Sequence, residues 1–423
     1  MKYVSKDLGS FGLHLINSDK FKTITIRVLF HTPIKKEEIT KRGVLADILL
    51  QSSKKYNSKR NLTIEAEELY AADISTNNQR MGNYIVTSFT LQVLRDCYTE
   101  ENNLEKSIEF LSDIIFQPDV ENNAFKKERL DIVKYNTVVS ISSLKEDATA
   151  YSLTRMAEAY DKESPISYRM TGYIEDLEKI TESNLYETYQ KMIESDYVDI
   201  YVVGNFDNKE MTSLIKKYFK LKKIKKRKPS YYLTTKKPRT RRLFAKETID
   251  NTQSKLAIIC PLNKLTDYEK NYALLLGNII LGGGPDSKLF KEVREKNSLC
   301  YFIHSIYNKI DNVIVISAGI DKKNFQKTVD LISKNILDMK KGRFTDHDMD
   351  VAKEIYHTAR EEIEESENRL IAEFIGESIL GQEPMDERLK KIMKVNKRDI
   401  VRACKKISMD TVFLLEGVKD END

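Results

Sequence analysis

Histidine is the commonest protein ligand for zinc, and the sequence has five: His14, His31, His304, His347 and His357. No two stand three or four residues apart, so no pair shares a helical face of the kind a catalytic zinc site uses. The four cysteines (Cys97, Cys260, Cys300, Cys404) are scattered, without a Cys-x-x-Cys pair. That argues against a structural zinc site and a disulfide framework, and for reduced thiols in the cytoplasm. A second group of residues could act on a peptide bond. Arg294 and Tyr301 stand seven residues apart in LGGGPDSKLFKEVREKNSLCY, residues 281–301. A guanidinium and a phenol are donors that could fix a peptide backbone or stabilise a developing oxyanion, but neither supplies a nucleophile. The same stretch opens with Gly282, Gly283 and Gly284, which allow positive φ and close backbone approach, as a turn or as a surface against substrate. No Gly-Lys-Ser/Thr follows them, so a phosphate-binding loop is excluded. The acidic run REEIEESENR, 360–369, reads as a solvated helix face or as an attractor for basic peptide.

The elements that must position these residues appear twice. TITIRVLF (23–30) and SKLAIICPL (254–262) are alternating, β-branched strands that open each half. Each is followed by an apolar helix, RGVLADILLQSS (42–53) and NYALLLGNIILGG (271–283), then by a helix and a strand hairpin. Amphipathic helices come next: 104–117 and 126–139 in the first half, 325–339 and 348–363 in the second. Both halves close on a helix and a strand, with Thr181 and Asn396 placed as N-caps. The expected fold is α+β: two homologous domains, each a mainly antiparallel β-sheet covered by helices on one face. The expected boundaries are a first domain 1–220, a basic linker 221–245 and a second domain 246–423. The linker contains LKKIKKRKPSYYLTTKKPRTRR, half of it Lys and Arg, a composition that repels itself and extends.

Composition sets outer limits. The chain has 423 residues, 40% hydrophobic and 32% charged, with net charge +5, which suits a globular protein of more than one domain. So small an imbalance gives no nucleic-acid footprint beyond the linker. The longest apolar stretches fall well short of the roughly 18 residues that cross a bilayer, and MKYVSKDLGSFGLHLI has neither an apolar h-region nor a small-residue cleavage site, so no signal peptide is expected. The expectations are a cytoplasmic protein with no nucleic-acid and no membrane partner.

The 281–301 motif, the duplicated plan, the basic linker and the chain length together resemble the M16 family of zinc peptidases, the inverted zincins that include pitrilysin and mitochondrial processing peptidase. Within it the chain looks most like the short, inactive-subunit type; KFKTITIRVLF and LYAADIS look closest to the subgroup named YfmF. Active members carry Gly-x-x-His-x-x-Glu-His on the first long helix and a further Glu ligand downstream. Here Gly43 matches the motif's glycine, and the chemical positions fall on Ala46, Leu49 and Leu50. Glu128 matches the first Glu of the downstream helix, and the ligand position falls on Tyr135. Methyl and isobutyl groups offer no lone pair, and a neutral phenol is a poor ligand. The resemblance therefore implies no metal in this chain and no catalytic residues of its own, with zinc expected in a partner. It implies a pseudoenzyme subunit that binds peptide and forms a heterodimer with a zinc-bearing paralogue, or else a homodimer. Arg294 and Tyr301 would contribute to the partner's site, and Gly282, Gly283 and Gly284 would contact substrate. Two other readings stay open: a structural scaffold subunit, and a stand-alone metallopeptidase with an unrecognised metal site.

Overall fold

The computed structural model describes residues 1–100, 102–222, 228–233 and 237–418, so the expected linker at 221–245 lies partly outside the described residues. The first half lays down β1 (Lys2–Asp7), β2 (Gly12–Asn17), β3 (Thr23–Pro33), α1 (Lys36–Leu49), β4 (Asp73–Met81), β5 (Tyr84–Leu94), α2 (Asn103–Phe116), α3 (Lys127–Ser142), α4 (Ala148–Tyr160), α5 (Glu182–Ser195) and β6 (Tyr197–Gly204). The second lays down β7 (Leu243–Ile249), β8 (Ser254–Pro261), β9 (Cys300–Asn308), β10 (Val313–Ile320), α6 (Phe325–Lys340), α7 (Asp346–Ile363), α8 (Glu367–Ser378), α9 (Lys397–Cys404) and β11 (Thr411–Gly417). Thr181 and Asn396 both open their helices as capping boxes, with the third helical residue's side chain reaching back to the cap's N–H.

The α+β expectation is met by two sheets. One has the order β1-β2-β6-β3-β5-β4, antiparallel except for β2 beside β6. The other has the order β9-β10-β8-β11-β7, antiparallel except for β11 beside β7. The compact units do not follow the linear halves. The first comprises Met1–Ser142, Arg169–Tyr231 and Ile363–Gln382; the second comprises Ser143–Tyr168, Tyr232–Glu362 and Glu383–Asp423. Each unit thus takes one helical segment from the opposite half of the sequence: α8 joins the first, α4 the second.

In the first unit, alternation along β3 sorts the two faces of the sheet. Ile24, Ile26, Val28 and Phe30 enter the core with Val44, Ile48 and Leu49 of α1, Ile108 and Leu111 of α2, and Leu185 and Met192 of α5. The intervening Thr25, Arg27 and His31 reach the other face, which is polar and receives α8. Glu367, at the first turn of α8, is 5% exposed and accepts hydrogen bonds from Thr23 (2.9 Å), Thr25 (2.6 Å) and Gln92 (2.6 Å). Arg27 donates to Asn368, Tyr201 pairs with Ser378 at 2.6 Å, and Tyr3 stacks on Phe374. The acidic run 360–369 is therefore not simply a solvated face. Ser366 caps a new helix, and the carboxylate after it is buried where the helix N-terminus favours negative charge.

The same face holds a network that the sequence did not suggest, because its members are far apart in the chain. Asp199 receives His14 Nε2 at 3.1 Å and lies 3.5 Å from His31 Nε2; Tyr3 and Tyr231 bond the other ring nitrogens. The Cβ of any larger residue at Gly12 would sit 2.3 Å from the Asp199 carboxylate, so glycine is what lets the strands meet around it. Burial alone would raise the pKa of Asp199, but the hydrogen bonds from His14 and His31, and their charge, outweigh it and hold the carboxyl below the usual range.

In the second unit, Leu256, Ile258 and Cys260 of β8 meet Ile332 and Ile336 of α6 and Ile400 and Cys404 of α9. The opposite face is apolar: Ala257, Ile259, Phe413 and Leu415 pack on Tyr151, Met156 and Tyr160 of α4. Glu247 of β7 fixes that helix by accepting from Tyr151 (2.6 Å) and Arg155 (2.7 Å).

Two predictions follow from the first unit. Glu367→Ala strands one buried donor, Thr25, and two partly buried ones, Thr23 and Gln92, and costs about 1–3 kcal/mol, read as a lower urea midpoint and faster amide exchange over 367–378; unchanged exchange there would refute the anchoring role. For Asp199 the lowered pKa means a stabilisation that is complete above the unfolded value, near pH 4, and lost as pH falls through the lower folded value. The gap in urea midpoint between wild type and Asp199→Asn should be wide at neutral pH and close below about pH 4.

Candidate functional site

Two loci carry the residues singled out in the sequence, one in each unit. In the first, α1 is held by a buried bidentate pair: Arg42 donates to Asp196 at 2.6 and 3.0 Å. Thr40, two residues earlier, accepts from the Tyr173 N–H at 3.0 Å and packs against Gly172. Gly172 has φ +91°, and a Cβ there would meet Thr40 at 2.9 Å, so this loop requires glycine twice over. The loop, α1, the edge strand β4 and α3 enclose a cavity of about 370 Å³. Gly43, Ala46 and Asp47 line it from α1, and Thr76, Asn77 and Asn78 from β4. Asn136, Thr137 and Ser140 of α3, with Met170 and Thr171 of the loop, complete the wall.

Of the positions matched to the zinc motif, only Ala46 faces this space, together with Gly43. Leu49 is fully buried in the core, and Leu50 packs half-buried against it. Tyr135 lies on the outer side of α3 and is 70% exposed; Glu128, about two turns earlier on the same helix, is also exposed. Zinc requires lone-pair donors converging on one point. These side chains neither converge nor, at Ala46, Leu49 and Leu50, carry such donors, so they do not fit the metal. Among the described residues no group of three or more His, Cys, Asp or Glu side chains could hold a metal ion.

What the cavity offers instead is amides, hydroxyls and one carboxyl. Asp47 is exposed on α1, and partial desolvation of its carboxyl raises its pKa against a hydrogen bond from Thr76. Asn78 accepts from Thr87 Oγ1 at 3.0 Å, while its Nδ2 is out of contact with water and has no partner among the described residues. The sequence reading passed over Asp47, Asn78 and Asn136. The available signal was the amide-rich run Thr76-Asn77-Asn78 on a strand whose neighbours alternate in burial.

The second locus is the 281–301 motif. Gly282, Gly283 and Gly284 close a helical run, 269–283, with π-type turns at both ends. None of the three has positive φ, so of the two properties that glycine offers here it is close approach that the fold uses. They serve close packing: a Cβ at Gly282 would lie 2.8 Å from both Leu289 and Ser305, one at Gly283 2.9 Å from Asn278, and one at Gly284 3.0 Å from Ile355. Arg294 stands exposed on a further π-type turn, Phe290–Glu295, its guanidinium 4.7 Å from the Phe290 ring centre. Ser298, with φ +51°, ends that turn, its N–H bonding the Arg294 carbonyl, and leads into β9. Tyr301 sits at a bulge on this edge strand, 52% exposed, its hydroxyl donating to Asp321 at 3.4 Å. Between them Cys300 is buried, which pushes its thiol up to about 11 against the opposing pull of Arg294. Both donors are thus solvent-accessible on one rim of the second sheet.

Comparison with known proteins gives a consistent answer. A family model described as the peptidase M16 inactive domain matches residues 179–356. A Bacillus subtilis (strain 168) protein described as a probable inactive metalloprotease, YmfF, is 30% identical over 97% of this chain and 97% of its own length. The subgroup named on the sequence was YfmF; the relative found bears the name YmfF and shares the inactive description. Among solved structures, a conserved protein from Enterococcus faecalis V583 superposes with a TM-score of 0.89 at 26% identity, covering all of both chains. The peptidase M16 inactive domain from Pseudomonas fluorescens superposes at 0.79 over 99% of each chain; at 15% identity it speaks for the fold alone.

The packing also predicts that the motif is not recoverable by a single reversion. Leu49→Glu, which would restore the motif's carboxylate, places an unpaired charge at a fully buried position. It should cost about 3 kcal/mol or more, seen as a lower thermal midpoint in metal-free buffer; an unchanged midpoint would mean that this face of α1 is open.

Proposed function

This chain belongs to the M16 peptidase family and is a homologue of an inactive member; from that premise we propose that it is a non-catalytic subunit, which holds an extended peptide and pairs with a zinc-bearing paralogue that supplies the nucleophile. The observation that carries the reading is the contrast between the two loci. In the first unit the metal positions hold Ala46, Leu49, Leu50 and Tyr135, yet the space beside Ala46 is an open polar cavity next to an edge strand. In the second unit Arg294 and Tyr301 keep their donors at the surface.

The chemistry divides accordingly. An extended peptide adds to a sheet edge through its main chain; the edges are β1 and β4 in the first sheet and β9 and β7 in the second, and β4 and β9 are the ones that carry residues of the two loci. Arg294 and Tyr301 have the charge and donor capacity to steady a peptide carbonyl as its oxygen becomes anionic, once a partner provides the attacking water. Of the glycine run, Gly283 is exposed and Gly284 half-buried, so a backbone can approach there, whereas Gly282 is packed against Leu289 and Ser305. The four cysteines are all unpaired and three are buried, which supports a reducing, cytoplasmic setting. No described helix is long and apolar enough to cross a membrane.

Co-expression with a paralogue bearing His-x-x-Glu-His tests the proposal. The two chains should elute as one complex that cleaves an unstructured peptide faster than the paralogue alone. Within that complex, Arg294→Ala or Tyr301→Phe should lower kcat roughly 100-fold without changing elution. Separate elution with equal cleavage by the paralogue alone would sink the pairing. An intact complex indifferent to both substitutions would instead favour a purely structural subunit.

A further inference from the structure

Three cations of the second unit gather at the end of β9 remote from Tyr301, about 25 Å along the strand. Lys309 stands in the 309–312 connection between β9 and β10. That turn is fixed from within, because Asn308 Oδ1 accepts from the N–H groups of Ile310 and Asp311 at 3.0 Å each. Lys270 lies in the helical run 269–283, and its carbonyl accepts from the Tyr307 hydroxyl at 3.2 Å. Its ammonium is 3.5 Å from the centre of the Tyr232 ring. Arg388 lies on the helix Met385–Met393, its Nε donating to the Glu383 carbonyl at 2.9 Å. The Glu383 carboxylate accepts at 2.8 Å from Tyr272, two residues after Lys270, which ties that helix to the same corner.

The charge of this corner is one-sided. Lys309 is half-buried, and among the described residues no carboxylate bonds it. Burial, with the charges of Arg388 and Lys270, pulls its pKa down to about 8. Burial also lowers the pKa of Lys270, opposed by Asp267, and that of Arg388, opposed by the phenols Tyr356 and Tyr272. Two carboxylates close by have other partners: Glu383 takes Lys391 and Tyr272, and Asp311 takes Asn308 at 2.8 Å. Cations held together and partly out of water cost stability, and a fold that needed only packing at 309 would be better served by methionine. An anion reverses the balance, because each cation then gains a partner. One carboxylate would neutralise one charge of the three. A phosphate group brings close to two charges and three acceptor oxygens, which suit an arginine fork with two ammonium groups beside it.

We propose that Lys309, Lys270 and Arg388 form a binding site for a phosphate group, brought either as free inorganic phosphate or on a nucleotide. The site belongs to the second unit alone and stands independently of the peptide holding proposed above. Its elements are tied to one another by the Tyr307 and Tyr272 hydrogen bonds, so the three cations are held in place before the anion arrives.

The test follows the melting of the full chain at neutral pH as potassium phosphate replaces chloride at constant ionic strength. The wild-type midpoint should rise with phosphate concentration, as for any ligand of the folded state. Lys309→Met removes a repelled charge and keeps the stem. In chloride it should melt about 2 °C or more above wild type, and its response to phosphate should shrink to the general salt effect that both proteins share. Arg388→Lys keeps the charge and loses the fork, so it should need at least about tenfold more phosphate for the same rise. ATP, with adenosine as its control, separates the two sources. ATP acting well below the concentrations of inorganic phosphate assigns the group to a nucleotide, and equal potency assigns it to free phosphate; either result retains the site. A wild type that responds to neither probe overturns it, as does a Lys309→Met protein that responds as wild type does. A Lys309→Met midpoint below wild type in chloride removes the repulsion on which the proposal stands and overturns it too.

Discussion

Glu367 can lie out of water because Thr23, Thr25 and Gln92 all donate to it and the first turn of α8 adds its own positive end. That arrangement answers a constraint on the whole protein. A twisted sheet buries one face on its own helices, and its other face also needs a cover. The first unit's second face is polar, with Thr25, Arg27, His31, His14 and Asp199 on it, so an apolar helix would leave donors and a charge unsatisfied. A helix opening with a buried glutamate and an asparagine matches it. The second unit's second face is apolar, and α4 meets it with Tyr151, Met156 and Tyr160. The two exchanged helices thus solve the same problem with opposite chemistry.

Much of this architecture was legible in the residues. Period-two alternation in β3 and β5 marked half-buried strands, and the repeated order of elements marked the duplication. Thr181 and Asn396 are local signals read by local rules, and both held. The exchange of α4 and α8 was not legible, because amphipathicity says that a helix has a partner surface and not which one. Glu367 was hidden for a related reason: in REEIEESENR it is one acid among several, and only three donors from strands far away in sequence distinguish it. The His14–Asp199–His31 network fails the same way, since metal-ligand spacing is a local test and these residues meet only through strand register.

The candidate sites divide similarly. The absence of ligands at Ala46, Leu49 and Leu50 follows from side-chain type alone. The consequence depends on packing: Leu49 and Leu50 have gone to the core, whereas Ala46 and Gly43 have left room. For the glycine run, two reasons stood open in the sequence, positive φ and close approach, and the fold uses the second. Glycine is used both where φ is positive, as at Gly172, and where a neighbour leaves no space for a Cβ, as at Gly282, and sequence does not separate the two. Arg294 and Tyr301 are exposed on one rim, an arrangement that spacing alone had left open.

The exchanged helices also bear on inheritance. A gene encoding only residues 1–220 would specify a sheet without α8, and would spend α4 on a surface that it lacks. The complementary fragment would be deficient in the reverse sense. Although the sequence is written as two similar halves, neither half is a portable module. Recombination that shuffles single copies is penalised in both products, and the duplicated chain is constrained to diverge as one piece.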